Sequence, residues 1–168
     1  MKKGIELTGV LSREELNKAR GTPTKERLRK GPVAFIECVQ EIPCNVCGAI
    51  CASGAIVLKE TAPPRLVGGR CTGCGRCISA CPGLAIFVVD MTYSKTEATI
   101  AFPYELLPLP EIGTEVNTVN RAGEVVAKGK VVTVKEGNDH TKIITIAIPK
   151  TLAEEIRGIS LKRGRSNE

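Results

Sequence analysis

The chain has 168 residues, of which 42% are hydrophobic, only 3% are aromatic and none is Trp. This length suits one ordinary domain or two small ones, with a core built from aliphatic side chains. No apolar run reaches the length of a membrane span or of a signal-peptide core, so we expect a cytoplasmic location. Thiols stay reduced there, and the eight cysteines therefore indicate metal ligation rather than disulfides.

Residues 1–31 predict a short helical arm. Ser12 with Glu15 has the form of a capping box, and Thr22-Pro23 is the start signal of a second helix. The basic run over residues 25–30 lies on that second helix. We interpret this run as a solvated face, with a docking patch for an acidic partner as the alternative.

Residues 32–93 hold all eight cysteines and an internal repeat. The first copy runs from Cys44 to Ile56 and the second from Cys74 to Ile86, with the same cysteine spacing and the same closing Ala-Ile. Each copy leads into an apolar run that predicts a strand. We expect each half to be a strand, a cysteine loop, a short helix and a strand, with residues 33–36 and 65–67 as the partner strands.

Residues 94–161 predict a β module. Alternating or apolar runs with glycines between them predict strands at 99–102, 115–119, 124–127, 130–134 and 143–148. Residues 103–110 are rich in proline and predict a linker. Short strands at this spacing favour a small barrel or sandwich. Thr151 with Glu154 predicts a last short helix, and residues 162–168 a flexible tail.

The second cysteine run is typical of bacterial iron–sulfur proteins. It reads Cys71-x2-Cys74-x2-Cys77-x3-Cys81-Pro82. Three thiolates on one tight loop reach three corners of a four-iron, four-sulfur cube, and the fourth cysteine points away and ligates the other cluster. Two glycines inside the loop let main-chain amides approach the cluster sulfurs.

The first cysteine run departs from this pattern. It reads Cys38-x5-Cys44-x2-Cys47-x3-Cys51, so its first gap is five residues rather than two, and Ala52 stands where the second run has a proline. We expect the longer loop to bulge, which leaves open whether Cys38 is a ligand or whether this cluster has only three irons. Four cysteines in each run favour two complete [4Fe-4S] clusters.

The rule that the fourth cysteine crosses to the other cluster gives two sets of iron ligands. Cluster one takes Cys38, Cys44, Cys47 and Cys81, and cluster two takes Cys51, Cys71, Cys74 and Cys77. Zinc is the main alternative, because two Cys-x2-Cys pairs can form a site of four thiolates. Zinc would use one pair from each run and leave the other four cysteines without a ligand role.

Two clusters also change the interpretation of the charge. The formal net charge of +6 counts every cysteine as neutral. A four-iron cluster with its four thiolates carries roughly −2 when oxidised, so two clusters bring the total to about +2. The basic excess is then largely counter-charge, and we expect no nucleic-acid binding.

Residues 32–93 resemble the two-cluster bacterial ferredoxins, most closely over Cys71 to Pro82. The whole chain resembles a narrower family through Gly31 to Cys38, Glu41 to Cys44, and the β module with Pro149 and residues 155–159. That family comprises the small iron–sulfur subunits of multi-subunit FAD-dependent dehydrogenases of amino or imino acids, with proline and hydroxyproline as typical substrates. The resemblance implies a partner subunit that carries FAD. The chain itself has no P-loop and no G-x-G-x-x-G fingerprint.

We therefore expect an α+β protein with a ferredoxin-like core at 32–93, a helical arm at 1–31, a small β barrel or sandwich with a final short helix at 94–161, and a tail at 162–168. Its predicted function is to relay single electrons from a flavin in a partner dehydrogenase subunit to an acceptor, as a non-catalytic member of a hetero-oligomer. A free-standing ferredoxin-type carrier is the alternative. A cluster-bearing structural or regulatory protein is a third interpretation.

Overall fold

Three short helices form the N-terminal arm of the computed structural model, which describes residues 4–137 and 140–160. They are α1 (Ile5–Thr8), α2 (Arg13–Lys18) and α3 (Lys25–Leu28), so one helix precedes the two predicted. Ser12 and Glu15 form the predicted capping box, since each side chain accepts the other residue's main-chain N–H, at 3.2 Å and 2.7 Å. The third helix begins two residues later than predicted, because the hydroxyl of Thr24 accepts the Arg27 N–H. None of the described helices is long and apolar enough to cross a membrane.

The cysteine-rich segment folds as two similar halves. Its elements are β1 (Val33–Ile36), α4 (Val46–Ala49), β2 (Ile56–Lys59), β3 (Ala62–Leu66), α5 (Arg76–Ala80) and β4 (Ile86–Asp90). Strand β1 pairs with β4 and β2 pairs with β3, both antiparallel. The predicted order of strand, loop, helix and strand is observed in each half, and the third strand begins three residues earlier than predicted.

The rest of the chain adds strands to the same sheet. They are β5 (Glu97–Tyr104), β6 (Glu115–Val119), β7 (Val125–Glu136), β8 (Lys142–Pro149) and β9 (Gly158–Ile159). A curled antiparallel sheet of seven strands runs in the order β1-β4-β5-β8-β7-β6-β9, beside the two-stranded β2-β3 sheet. Strand β4 pairs with β5, so the sheet is continuous across position 93, where the sequence predicts a boundary. The division into domains itself stays a prediction.

Two strand predictions in this part are wrong. The sequence predicts two strands, 124–127 and 130–134, with a turn at Gly129, but residues 125–134 belong to the single strand β7. A Cβ at Gly129 would lie 2.8 Å from the Thr118 side chain and 3.1 Å from the Ala147 carbonyl oxygen, so the glycine leaves room for the neighbouring strands rather than making a turn. Pro103 lies in β5 rather than in a linker, opposite Ile143 of β8.

The predicted last helix is also shorter than expected. The chain forms only a 3-10 helix over Lys150–Leu152, which begins after Pro149 rather than at Thr151. A further turn, closed by the Ile156 N–H donating to the Leu152 carbonyl, leads into β9. The predicted tail at 162–168 lies outside the described residues.

Strands β1 and β4 separate two buried layers. Successive side chains of a strand point to opposite faces. Val33 and Phe35 of β1 therefore pack in the main core with the arm and the long strands, whereas Ala34 and Ile36 pack with the cysteine-bearing helices. Both faces are covered, which is why β1 is buried at all four positions. The cysteines thus lie on one face of a sheet whose other face is fixed by the core.

Candidate metal centre

The eight cysteines of the chain surround two separate cavities. One cavity, with about 340 Å³ of space free of protein atoms including open solvent at its mouth, is lined by Cys51, Cys71, Cys74 and Cys77. The other, of about 390 Å³, is lined by Cys38, Cys44, Cys47 and Cys81. Each cavity has three cysteines from one run and the fourth from the other run, which is the grouping that the sequence predicts. That these thiols bind iron stays a prediction at this point.

Apolar side chains make up much of each cavity wall. Ala34, Ile56 and Val88 line the first cavity, and Ile36, Leu58 and Ile86 line the second. These side chains come from the buried layer on the cysteine side of β1 and β4 and from the β2-β3 hairpin. Such walls limit the access of water, which is one of the factors that set the potential of an iron–sulfur cluster.

The two halves share one main-chain frame. The Glu37 N–H donates to the Ala85 carbonyl at 2.8 Å, and the Val67 N–H donates to the Ala55 carbonyl at 2.7 Å. Ala85 and Ala55 occupy the same place in the internal repeat, so Glu37 and Val67 are equivalent positions at the end of β1 and β3. Glu37 and Val67 can therefore serve as a common origin, from which the number of residues to each cysteine is compared between the two loops.

Counted from this origin, the first loop is no longer than the second. Seven residues lead from Glu37 to Cys44, and seven lead from Val67 to Cys74. The expected bulge is therefore wrong: Cys38 has moved three residues toward the strand relative to Cys71, and the loop length is unchanged. Glu41, at the position that matches Cys71, is exposed and does not line the cavity. Cys38 does line it, which supports its role as a ligand.

Burial holds several of the thiols in their neutral form in the absence of metal. It raises the pKa of Cys77 to about 12 and of Cys47 to about 11, with the neighbouring thiols of the same cavity contributing further. Burial likewise raises the pKa of Cys38. Metal ions bind cysteine as the thiolate, so metal binding by these cysteines would release their protons.

Hydrogen bonds to sulfur are prominent around the cavity of Cys51 and Cys71. The Ala34 N–H of β1 donates to Cys71 Sγ at 3.3 Å, and the Ala55 N–H donates to Cys51 Sγ at 3.3 Å. Burial alone would raise the pKa of Cys51, but hydrogen bonds from Ser53 and Ala55 outweigh it and lower the pKa. These donors stabilise negative charge on sulfur, and hydrogen bonds of this kind tune cluster potentials.

A buried ion-pair network lies directly beside Cys38. Glu37 is only 9% exposed, and its carboxylate binds Arg121 at 2.6 Å and 2.9 Å and Arg157 Nε at 2.5 Å. The Arg157 guanidinium lies over the rings of Phe35 and Phe87, at 4.6 Å and 5.1 Å from their centroids. Burial lowers the pKa of Arg157 to about 10, which leaves it charged at neutral pH. No sequence pattern indicated this network, because its members are 84 and 120 residues apart.

No tight single-ion site is present among residues 4–137 and 140–160. There, no three or more His, Cys, Asp or Glu side chains gather so that they could hold one metal ion. The cysteines instead surround cavities. Four thiols around a cavity suit a multi-iron cluster, in which each thiolate binds a separate iron at a corner of the cube.

Comparison with known proteins finds one family model that matches part of the chain. The model of the 4Fe-4S binding domain matches residues 67–87. This segment contains Cys71, Cys74, Cys77 and Cys81, whereas the first cysteine run lies outside it. The match supports an iron–sulfur protein of ferredoxin type, with a 4Fe-4S cluster and a role in electron transfer. No match was found among curated proteins or among solved structures.

Proposed function

We propose that this chain is an electron-transfer subunit with two [4Fe-4S] clusters, and that it relays single electrons from a flavin in a partner dehydrogenase subunit to an acceptor. One observation carries the proposal: each of two cavities has four cysteines, three from one run and one from the other. A chain built for a single cluster has no use for this exchange of ligands.

The donor set of each cavity fits a cubane cluster. Cys38, Cys44, Cys47 and Cys81 are the proposed ligands of cluster one, and Cys51, Cys71, Cys74 and Cys77 those of cluster two. When bound, each cluster supplies a reversible one-electron couple. The cysteine side chains would hold the irons, the apolar walls would exclude water, and the main-chain N–H groups of Ala34 and Ala55 donate hydrogen bonds to sulfur.

The crossed ligands also keep the two sites close together. Cys47 and Cys51 lie four residues apart and line different cavities, as do Cys77 and Cys81. Four residues span at most about 14 Å even when fully extended. Two short covalent links of this kind hold both cavities within one small unit, which suits passage of electrons from one cluster to the other.

The flavin-bearing partner is inferred from two facts about the chain. The sequence resembles the small subunits of FAD-dependent amino and imino acid dehydrogenases, and it lacks a nucleotide-binding fingerprint of its own. We accordingly assign FAD to a partner subunit in a cytoplasmic hetero-oligomer. The arm at 1–31 and the module at 94–161 provide surface for contacts with such subunits.

The experiment is anaerobic purification of the native protein, followed by iron, zinc and flavin analysis. We expect about eight irons per chain, the content of two four-iron clusters, and a companion chain that carries FAD. A chain that arrives alone with about eight irons would be a free carrier, and the partner part of the proposal would be wrong. Colourless, zinc-loaded material would overturn the proposal as a whole.

A further inference from the structure

One side chain of the basic run at residues 25–30 is not a solvated charge. Arg27 of α3 is partly buried, and its guanidinium donates four hydrogen bonds, all to main-chain carbonyl oxygens. The acceptors, with their distances, are Gly68 at 2.8 Å, Gly31 at 3.0 Å, Pro32 at 2.9 Å and Cys71 at 2.7 Å. Within the described part of the chain, no carboxylate forms an ion pair with Arg27.

These four carbonyls belong to two segments that meet at the second cysteine loop. Gly31 and Pro32 lead into β1, and the 3-10 helix Gly68–Arg70 leads into Cys71. The loop is seated closely on the first segment, because a Cβ at Gly73 would lie 2.6 Å from Pro32 Cβ and 2.7 Å from its carbonyl oxygen. Arg27 therefore joins the helical arm, the start of β1 and the cysteine loop at a single guanidinium.

This contact helps to fix Cys71, a proposed ligand of cluster two, which is held at both its main chain and its side chain. The Cys71 carbonyl accepts from Arg27, while Cys71 Sγ accepts the Ala34 N–H of β1 at 3.3 Å. Five fixed donors in a planar fork suit arginine to this task, whereas lysine offers a point charge on a flexible stem. Cys71 follows a short turn rather than a strand, so its position depends on such contacts.

The same guanidinium places a full positive charge beside this cavity. No carboxylate partner in the described residues neutralises it, and its hydrogen bonds go to neutral carbonyls. A cluster gains one negative charge on reduction, so a nearby cation favours the reduced state and raises the potential.

We propose that Arg27 is a positioning residue for cluster two, which holds Cys71 in place and raises the reduction potential of that cluster. This inference rests on the proposed function, since it requires two loaded clusters. It also corrects the interpretation of residues 25–30 as a uniformly solvated face. Among the residues that the structure describes, no arginine donates to the carbonyl of Cys38, the first cysteine of the other run.

The test uses the full chain in its native complex, with three variants. Arg27→Met removes both the charge and the hydrogen bonds, Arg27→Lys keeps the charge alone, and Arg29→Met removes an exposed charge from the same basic run. Iron is counted per chain, and each cluster is titrated electrochemically with its EPR signal as the readout. A Cys74→Ser variant, altered at a proposed ligand of cluster two, identifies the signal of that cluster.

We expect Arg27→Met to shift the cluster-two potential to a lower value, or to remove that cluster and halve the iron content, while cluster one is unchanged. Arg27→Lys should give a smaller shift in the same direction, and Arg29→Met no shift. Unchanged potentials in Arg27→Met, equal shifts of both clusters, or loss of both clusters in Arg27→Lys would overturn the inference. Failure of the proposed function is recognised separately, because the unmodified protein would then lack two titrating signals.

Discussion

The first cysteine of each run enters its cavity from a different kind of backbone. Cys38 directly follows Glu37 at the end of β1, and that glutamate is anchored by Arg121 and Arg157. Cys71 follows a 3-10 helix and is held by the Arg27 guanidinium. The position of a thiol at a strand end is fixed by the hydrogen bonds of the sheet. The position of a thiol after a turn depends on the side chains that hold the turn.

The position of Cys38 gives a prediction about iron content. Cys38→Ala leaves three thiolates around its cavity, so we expect cluster one to be lost or incomplete and iron to fall from about eight per chain toward four. Colorimetric iron analysis and EPR of anaerobic protein measure this. Glu41→Gln is the matched control and should keep about eight irons. Retention of all iron in Cys38→Ala would identify a different fourth ligand.

The buried thiols give a prediction about pH in the cluster-free chain. Burial raises the pKa of Cys47 to about 11 and of Cys77 to about 12, from an ordinary value near 9. Between pH 9 and these raised pKa values, the unfolded chain holds fewer protons than the folded chain. The contribution of these thiols to stability is therefore fully present below pH 9 and decreases as pH rises above it. We expect a loss of roughly 1 to 3 kcal/mol between pH 7 and pH 10.

Urea unfolding of the apo protein at both pH values measures this loss. A double variant with Cys47→Ser and Cys77→Ser is the control, because serine hydroxyls do not titrate in this range and most of the slope should disappear. A free energy of unfolding that rises with pH in the unmodified apo protein would contradict the prediction.

At the scale of the elements, local sequence signals predict a helix or a strand correctly where packing against neighbouring elements favours the same structure. The capping box of α2 and the strands at 115–119 and 143–148 follow from local chemistry and alternation. The turn predicted at Gly129 is wrong because the role of this glycine is set by Thr118 and Ala147 on adjacent strands rather than by its own turn propensity. The bulge predicted for the first cysteine loop is wrong for a similar reason. The lengths of the two loops can be compared only when the equivalent strand ends, Glu37 and Val67, are known.

Gly73 gives a prediction at this scale, since the cysteine loop contacts the arm segment there. Its φ is +69°, and an added Cβ would clash with Pro32. A left-handed alanine costs roughly 1 to 2 kcal/mol by itself. At Gly73 the clash with Pro32 adds to this cost, so we expect Gly73→Ala to reduce the occupancy of cluster two. Gly123→Ala is the control, because its φ is +80° and a Cβ added there would have no atom within 4 Å. Equal iron content in the two variants would rule out a steric role for Gly73.

At the scale of the whole molecule, the cysteine-bearing unit and the β module share both a sheet and an ion-pair network. Strand β4 pairs with β5, and Glu37 pairs with arginines that come after β6 and before β9. The grouping of the cysteines around two cavities could be predicted from cysteine spacing alone, because the motif is local. The network could not, since nothing in the sequence links positions so far apart.

This sharing predicts that the chain cannot be shortened to its cysteine-bearing part. A truncation after residue 93 leaves β4 with an unpaired edge and Glu37 without its two arginines, and an unpaired buried charge costs about 3 to 5 kcal/mol. We expect this fragment to hold fewer irons than the full chain and to aggregate. A truncation after residue 160 is the control and should keep full iron content. A soluble 1–93 fragment with about eight irons would instead support the predicted domain boundary.

Of the eight cysteines, Cys74 is the most exposed to solvent, five others are half-buried, and Cys47 and Cys77 are buried. If iron is bound there as proposed, dioxygen and other small oxidants meet the protein first at this corner, because exposed thiolates are the ones most readily oxidised. Decay in air would then begin on one side of the molecule, with the more enclosed site surviving as a half-loaded remnant. Material handled aerobically would thus resemble a one-cluster protein, whatever its composition in the cell.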